Sequence, residues 1–407
     1  MNYYFKILLL IIFSPFLLLV VILSLSNFLQ IRFYSVITNR IGHLVEDFNI
    51  ILAHKKKVGG RFIDIVYLQY PEICNQAFFD NFYKNKFIFV PKIIGEPFFL
   101  LFQKLSKKNK FFLRFFPYRK NSKKSGYQFL SCDDKINIKI PEYINEKGKK
   151  FLSKLGTNSK KIVCINIWND SHISDKIAKN HHSHRNGTFQ SYVASINYLI
   201  SKGFFVIKIG RSNIEEKINN KNFFDYSFNS PNDELDLFLV SNCYLYISNS
   251  TGLDHLAFAL EIPMLINTPV IFDFFVEKKY TMYLLRPHYS NDLKRELSYN
   301  EIIEKNLPFQ LKSNKYEERG IVIKDNDESD ILLACKDMLT LIENNFKVDK
   351  NNYDLSVKFW KIFMKAKENI AAQAIANHKK DLEYYKSIEI NSFYSWSYLK
   401  KKPELIF

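Results

Sequence analysis

The chain lacks most of the short signatures that announce an enzyme class. Its five cysteines, Cys74, Cys132, Cys164, Cys243 and Cys335, lie far apart and form no C-x-x-C. A scattered, odd set argues for reduced thiols and against a disulfide framework or a zinc cluster. No G-x-G-x-x-G and no Walker sequence occurs, which argues against dinucleotide oxidoreductases and P-loop enzymes. No G-x-S-x-G elbow supports a nucleophilic triad. RNP, zinc-finger and basic-zipper patterns are absent too, so nucleic acid is not an expected partner. His181, His182 and His184 lack the i, i+4 spacing of a helical metal site and have no acidic companion, so no metal is expected. No internal repeat is visible.

The chain does have length, apolar mass and positive charge. Its 407 residues suffice for two domains, and 47% apolar with 24% charged residues is a globular composition. There are 58 basic and 41 acidic residues, a net charge of +17. Such a surplus points to polyanions, phosphorylated ligands or an anionic membrane face.

Ile7 to Ser26 is uncharged and mostly Leu, Ile, Val and Phe. Twenty helical residues span about 30 Å, the thickness of a bilayer's hydrocarbon core. No A-x-A cleavage site follows, so an uncleaved anchor over residues 1–30 is expected rather than a signal peptide. Arg32, Arg40, Lys55, Lys56, Lys57 and Arg61 follow it, and the positive-inside rule then places the rest in the cytoplasm, on the inner membrane. The sequons at Asn169, Asn186 and Asn249 agree: they fall in candidate active-site loops, where a glycan would obstruct. Phe99 to Lys124 interleaves lysine with phenylalanine, which suits contact with an anionic membrane surface or a helix with a solvated basic face.

Arg32–Ile37, Phe62–Leu68 and Phe87–Val90 read as strands, with a helix over Leu44–Leu52. Asp133 to Asn158 reads as the boundary region. Beyond it, strands at Lys161–Trp168, Phe204–Ile209, Phe223–Phe228, Cys243–Ile247 and Met264–Ile266 alternate with helices, as in a doubly wound parallel sheet. Helices are expected over Ser329–Glu343, Tyr353–Lys367 and Ala371–Ile388, then an aromatic tail.

The chain's centre of gravity is Ser241 to Pro269. A buried strand runs into Ser248-Asn249-Ser250-Thr251-Gly252, and the stripe Leu253, Leu256, Ala257, Leu260 then reads as a helix. Amides at such a turn favour an anion; alternatively Ser250 or Thr251 simply caps the helix. Three loops leave the carboxyl ends of the strands: Asn169–Gly187, Lys208–Asn213 and Ser248–Gly252. Together Arg185, Lys208 and the Ser250–Gly252 amides suit a diphosphate leaving group. An acceptor hydroxyl needs a base, for which His43 is the candidate, with Glu46 and Asp47 behind it; alternatively His43 only starts a helix. Asp325-Asn326-Asp327, a literal D-x-D, stands where capping is the expected role.

Arg185 to Gly210 (RNGTFQSYVASINYLISKGFFVIKIG) resembles a motif of a family of surface-polysaccharide glycosyltransferases of the GT-B class. Asn249 to Ala257 (NSTGLDHLA) is similar to its S-G-L turn and to the heptosyltransferase-like C-terminal domain. Arg40-Ile41-Gly42-His43-Leu44 resembles its R-I-G-H-L segment. Two positions depart from it: Asn166-Ile167-Trp168 has no basic residue, and Lys208 replaces an arginine, losing the bidentate fork. The resemblance implies an α/β, GT-B-like fold of two Rossmann-like domains facing a cleft, over residues 31–145 and 146–345, with C-terminal helices over 346–407. It implies an enzyme that transfers a sugar from a nucleotide-sugar to a glycan or lipid-linked acceptor, with no cofactor. The implied donor set is Arg185, Asn186, Lys208, Gly210, Ser250, Thr251, Gly252, His255 and Asn267. His43 and Glu46 would be catalytic, with Arg40 and Gly42 in a loop near the cleft. An inactive GT-B-like scaffold of a polysaccharide assembly complex is the alternative.

Overall fold

A computed structural model describes residues 11–25, 29–58, 61–109, 111, 112, 115, 138–158, 162–169, 183–229, 231–271, 275, 277–305, 307, 310, 312–373 and 389–406. The chain divides into two compact units, Met1–Pro141 and Glu142–Phe407.

The first unit holds α1 (Ser14–Leu25), β1 (Gln30–Val36), α2 (Ile41–Val58), β2 (Phe62–Leu68), α3 (Gln76–Phe82), β3 (Ile88–Phe89) and α4 (Lys92–Lys108). The three strands form a parallel sheet in the order β1-β2-β3. Phe33 of β1 stacks between Phe98 and Phe102 of α4, with ring centroids 5.6 and 5.2 Å away.

The expected membrane anchor is not supported. Among the described residues no helix is long and apolar enough to cross a membrane. The described helix α1 has 12 residues, about 18 Å at 1.5 Å per residue, against the ~30 Å required. Part of its apolar character serves packing: Val20 is fully buried, and Phe13, Leu17 and Val21 pack on the cluster of Phe33, Tyr67, Phe98 and Phe102. Leu18 and Leu19 on its other face are exposed. The inner-membrane placement rested on that anchor and is equally unsupported. In α4 the aromatic residues Phe98, Phe99 and Phe102 are buried while Lys104 and Lys108 are exposed, so the described part of the basic aromatic stretch divides between core and solvent. Most of the stretch beyond Lys108 lies outside the described residues.

The second unit begins with α5 (Glu142–Lys154) and continues through β4 (Ile162–Asn166), α6 (Val193–Ser201), β5 (Phe205–Lys208), β6 (Phe223–Asp225), α7 (Asp233–Asn242), β7 (Leu245–Ser248), α8 (Asp254–Ala259), β8 (Met264–Thr268) and β9 (Thr281–Leu285). A meander follows, of β10 (His288–Ser290), β11 (Arg295–Glu296), α9 (Tyr299–Glu304), α10 (Asn314–Glu317) and β12 (Ile321–Ile323). The chain closes with α11 (Glu328–Glu343), α12 (Lys350–Gln373), β13 (Phe393–Tyr394) and α13 (Trp396–Lys401).

Seven strands make one sheet in the order β13-β9-β8-β7-β4-β5-β6, and every neighbouring pair is parallel. Strands β4, β5, β7 and β8 match the apolar runs read from sequence, because strands buried on both faces are nearly continuous apolar stretches. Asn232 caps α7 by accepting the Leu235 N–H at 3.0 Å. Asp327 caps α11 by accepting the Asp330 N–H at 2.8 Å, as the position of the D-x-D suggested. The aromatic tail is part of the core. Tyr394 in β13 is fully buried against Phe359, with ring centroids 3.8 Å apart. The expected helix at Ala371–Ile388 lies largely outside the described residues.

Candidate functional site

The chain winds outward from β4 through β5 to β6, then returns to β7 on the other side of β4 and winds the opposite way through β8 and β9. Doubly wound sheets bind ligands at such a reversal, beyond the carboxyl ends of the strands. The candidate site is built from the tips of β4 and β7 and the segment that carries Arg185.

Asn249, directly after β7 and 1% exposed, clasps these parts together. Its Oδ1 accepts the Trp168 N–H at 2.7 Å, and its Nδ2 donates to the carbonyls of Trp168 at 2.8 Å and Arg185 at 3.0 Å. The Gly187 N–H donates to the same Trp168 carbonyl at 3.1 Å. A Cβ on Gly187 would lie 2.6 Å from Asn249 Nδ2, so a side chain there would push the clasp apart.

Arg185 is half-buried. Its guanidinium donates to the Ser250 carbonyl, and its Cζ lies 5.9 Å from the centroid of the Trp168 ring, within cation–π range. Ser250 has φ 70°, a left-handed conformation that costs a non-glycine residue about 1–2 kcal/mol. Asn186 follows Arg185, is half-buried, and donates its N–H to Ser183 O at 3.0 Å.

The turn after Ser250 is already supplied with an anion. Asp254, 3% exposed, accepts the Thr251 N–H at 2.9 Å and the Thr251 hydroxyl at 2.8 Å. It also accepts from Ser248 Oγ at 3.0 Å and Tyr246 OH at 3.1 Å. Thr251-x-x-Asp254 has the spacing of a capping box, in which the acid reaches back to the first N–H. Helix α8 has only six residues, so its dipole is short. The capping role read for Thr251 is not what this geometry shows: the residue before α8 is Leu253, which makes no side-chain cap bond, and the Thr251 hydroxyl donates to Asp254. Burial pushes the Asp254 carboxyl up to about 6, against the pull of donors from Thr251 and Ser248. Asn166 joins this network from β4, donating to Thr251 Oγ1 at 2.8 Å and Tyr246 OH at 3.0 Å.

Lys208 is not presented at the loop tips. It is 4% exposed, and its ammonium donates to Asp225 Oδ2 at 3.0 Å and Ser227 Oγ at 2.8 Å. The cause is register: Lys208 in β5 pairs directly with Asp225 in β6. Gly210 (φ 104°) does approach the β4 tip, since a Cβ there would lie 2.7 Å from Asn166 Oδ1. Gly252 is half-buried beside Thr251. His255 is half-buried on α8 with its ring edge-on to Phe258 at 6.3 Å. Asn267 is 2% exposed, donates to Tyr192 OH at 3.2 Å and accepts from Asn326 Nδ2 at 2.8 Å.

His43, Glu46, Arg40 and Gly42 belong to the first unit. Gly42 and His43 lie in the first turn of α2, where His43 is half-buried, and Arg40 is exposed just before the helix. Glu46 is 6% exposed, and the neighbouring Asp47 accepts the Ile37 N–H at 3.0 Å.

Sequence reasoning missed Arg286 and the part played by Asp325. Arg286, 4% exposed at the end of β9, pairs with Asp325 and donates to the His184 carbonyl at 3.3 Å. The apolar run Thr281–Leu285, ended by Arg286-Pro287, was the available signal for β9. His184 is buried, with Nδ1 3.0 Å from Ser313 Oγ and its ring 5.1 Å from that of Tyr316. His172, His181 and His182 lie outside the described residues. Among the described residues no group of three or more His, Cys, Asp or Glu is gathered as a metal site requires.

Neither protein-family models nor curated sequences match the chain. Solved glycosyltransferase structures are similar to it in fold. E. coli ADP-heptose LPS heptosyltransferase II is 14% identical with TM-score 0.39, over 61% of this chain and 89% of that one. The glycosyl transferase family 9 structure from Veillonella parvula is 12% identical with TM-score 0.44, over 77% and 98%. The iron-containing dodecameric glycosyltransferase TibC from E. coli is 12% identical with TM-score 0.31, over 59% and 57%. At such values the likenesses carry no argument about activity, and the functional reading is drawn from the site's own residues.

Proposed function

We propose that the chain is a glycosyltransferase that takes a sugar from a nucleotide-sugar and passes it to the hydroxyl of a glycan or lipid-linked acceptor in bacterial surface-polysaccharide assembly. The observation that carries this reading is Arg185, a half-buried guanidinium held at the winding reversal of a parallel sheet by the Ser250 carbonyl and the Trp168 ring. As the bond from sugar to diphosphate breaks, negative charge grows on the leaving oxygen. A fixed cation there stabilises the transition state more than the ground state. His43, in the motif similar to R-I-G-H-L, is proposed as the base for the acceptor hydroxyl.

The test is calorimetric titration of the full chain with UDP, GDP, ADP and CMP. One of the diphosphates is expected to bind, and Arg185→Ala to weaken it. Equal binding by Arg185→Ala would remove this site from the reaction. Ser250→Ala serves as a control, since Ser250 meets Arg185 through its main chain.

A second reading also has an observation in its favour. Lys208 is consumed by Asp225, and the Thr251 amide by Asp254. Two of the groups expected to hold a diphosphate are thus satisfied internally, as suits an inactive scaffold of the same fold. Hydrolysis or transfer of a sugar-nucleotide by the purified chain separates the two readings.

A further inference from the structure

We propose that Arg286 and Asp325 form a positioning pair that holds Arg185 in place for its anionic ligand. The proposal rests on the donor-site reading above. Arg185 lies in a segment, Ser183–Thr188, whose regular structure is one 3-10 turn over Ser183–Arg185. Such a segment has no ladder of its own, so its geometry must come from what grips it.

The pair grips it on both sides of Arg185. Arg286 Nη1 donates to the carbonyl of His184 at 3.3 Å, one residue before Arg185. Arg286 Nη2 is bonded to Asp325 Oδ1, and Asp325 Oδ2 accepts the hydroxyl of Thr188 at 3.0 Å, three residues after it. Ser313 adds a third hold, its Oγ accepting the His184 N–H at 3.1 Å. The pair is itself seated on the sheet. Arg286 directly follows β9, and Asn326, beside Asp325, is buried and donates to Leu285 O at 3.3 Å and Asn267 Oδ1 at 2.8 Å. Contacts therefore run without a break from the ends of β8 and β9 to the residues flanking Arg185.

The chemistry suits direction more than stability. A guanidinium fork fixes its partners in one plane, which a lysine or an apolar residue does not. With Arg286 buried and Asp325 half-buried, the pair contributes little net stability compared with well-packed apolar residues, because the guanidinium loses its hydration. The D-x-D, read from sequence only as a cap, thus divides its labour. Asp327 caps α11, Asn326 ties the loop to the sheet, and Asp325 steers Arg286.

The test replaces the pair together in the full chain, Arg286→Met with Asp325→Leu, so that neither charge is stranded. Labelling with 5-fluorotryptophan reports on Trp168, whose resonance is assigned by Trp168→Phe. Without ligand, the double variant is expected to move that resonance towards its position in Arg185→Ala. UDP, GDP or ADP affinity should fall about tenfold, and the combination with Arg185→Ala should bind no more weakly than Arg185→Ala alone, since the pair acts through Arg185. An unmoved Trp168 resonance overturns the proposal. Losses that add to those of Arg185→Ala also overturn it, making Arg286 a ligand contact in its own right. If the unaltered chain binds no nucleotide, the donor reading fails while the fluorine shift still decides the positioning role. Should the double variant not fold, Arg286→Lys, which keeps the charge and loses the fork, is expected to shift the same resonance part of the way.

Discussion

The two sheets handle buried charge in different places. In the first unit the pair lies within the strands: Arg32 and Asp64 are register partners in β1 and β2, joined at 2.7 Å and buried to 1% and 3% exposure, with Lys55 reaching Asp64 at 3.1 Å. In the second unit the charges gather at the carboxyl ends, in Lys208–Asp225, Arg286–Asp325 and the Asp254 network. A charge within a strand has only the neighbouring strand to meet, and its role is structural. A charge at a strand end faces loops, yet there too most find a partner within the chain. Arg185 differs in how it is held: its guanidinium donates to a main-chain carbonyl, that of Ser250, beside the Trp168 ring.

The comparison breaks most visibly at Asp64. Asp64→Ala strands Arg32 in the first unit and is expected to cost about 3–5 kcal/mol in chemical denaturation, whereas Arg32→Met with Asp64→Leu should be nearly neutral. Equal losses in both would mean the pair stabilises the sheet outright.

The next largest effect is the pH response of Asp254. Its carboxyl stands at about 6 when folded, above its usual range, so the folded state binds the proton more tightly than the unfolded chain. The associated stability is present below pH ~4 and lost as pH rises through about 6, amounting to about 3 kcal/mol. The difference in unfolding free energy between the native chain and Asp254→Asn should therefore change across pH 4–6 and level off above it. A constant difference would place Asp254 in its ordinary range.

Arg185→Ala is expected to weaken diphosphate binding by about 10- to 100-fold, the worth of one charge-assisted contact, with the melting temperature unchanged. Lys208→Met should leave the same affinity within about twofold, because its ammonium is already engaged. A large loss with Lys208→Met would show that the ion pair opens for the ligand and would erase the contrast with Arg185.

Much of the second unit was legible because its signals are local. Phe205–Lys208, Leu245–Ser248 and Met264–Thr268 are apolar runs of strand length, and Asp327 caps where a cap was expected. Strand β9 was not read although its apolar run was there, and the return of the aromatic tail as β13 was not read because a two-residue strand, Phe393–Tyr394, has no periodicity to detect. Of the site, Arg185 and Ser250 come together, and Asn166 joins Thr251, while the acid that Lys208 meets is chosen by register, which no local pattern reveals.

Composition and short-range pattern alone determined the α/β alternation, the parallel second sheet and the loops that end its strands, since each depends on a few consecutive residues. Only the tertiary structure decided which charges are matched with which. Asp225 is 17 residues from Lys208, Asp325 is 39 from Arg286, and His184 is 102 from Arg286. The same holds for the apolar N-terminal run, whose length invited a membrane and whose Val20 packs on its own sheet. Hydrophobicity states that a surface avoids water; what covers it is set by neighbours that the chain brings from elsewhere.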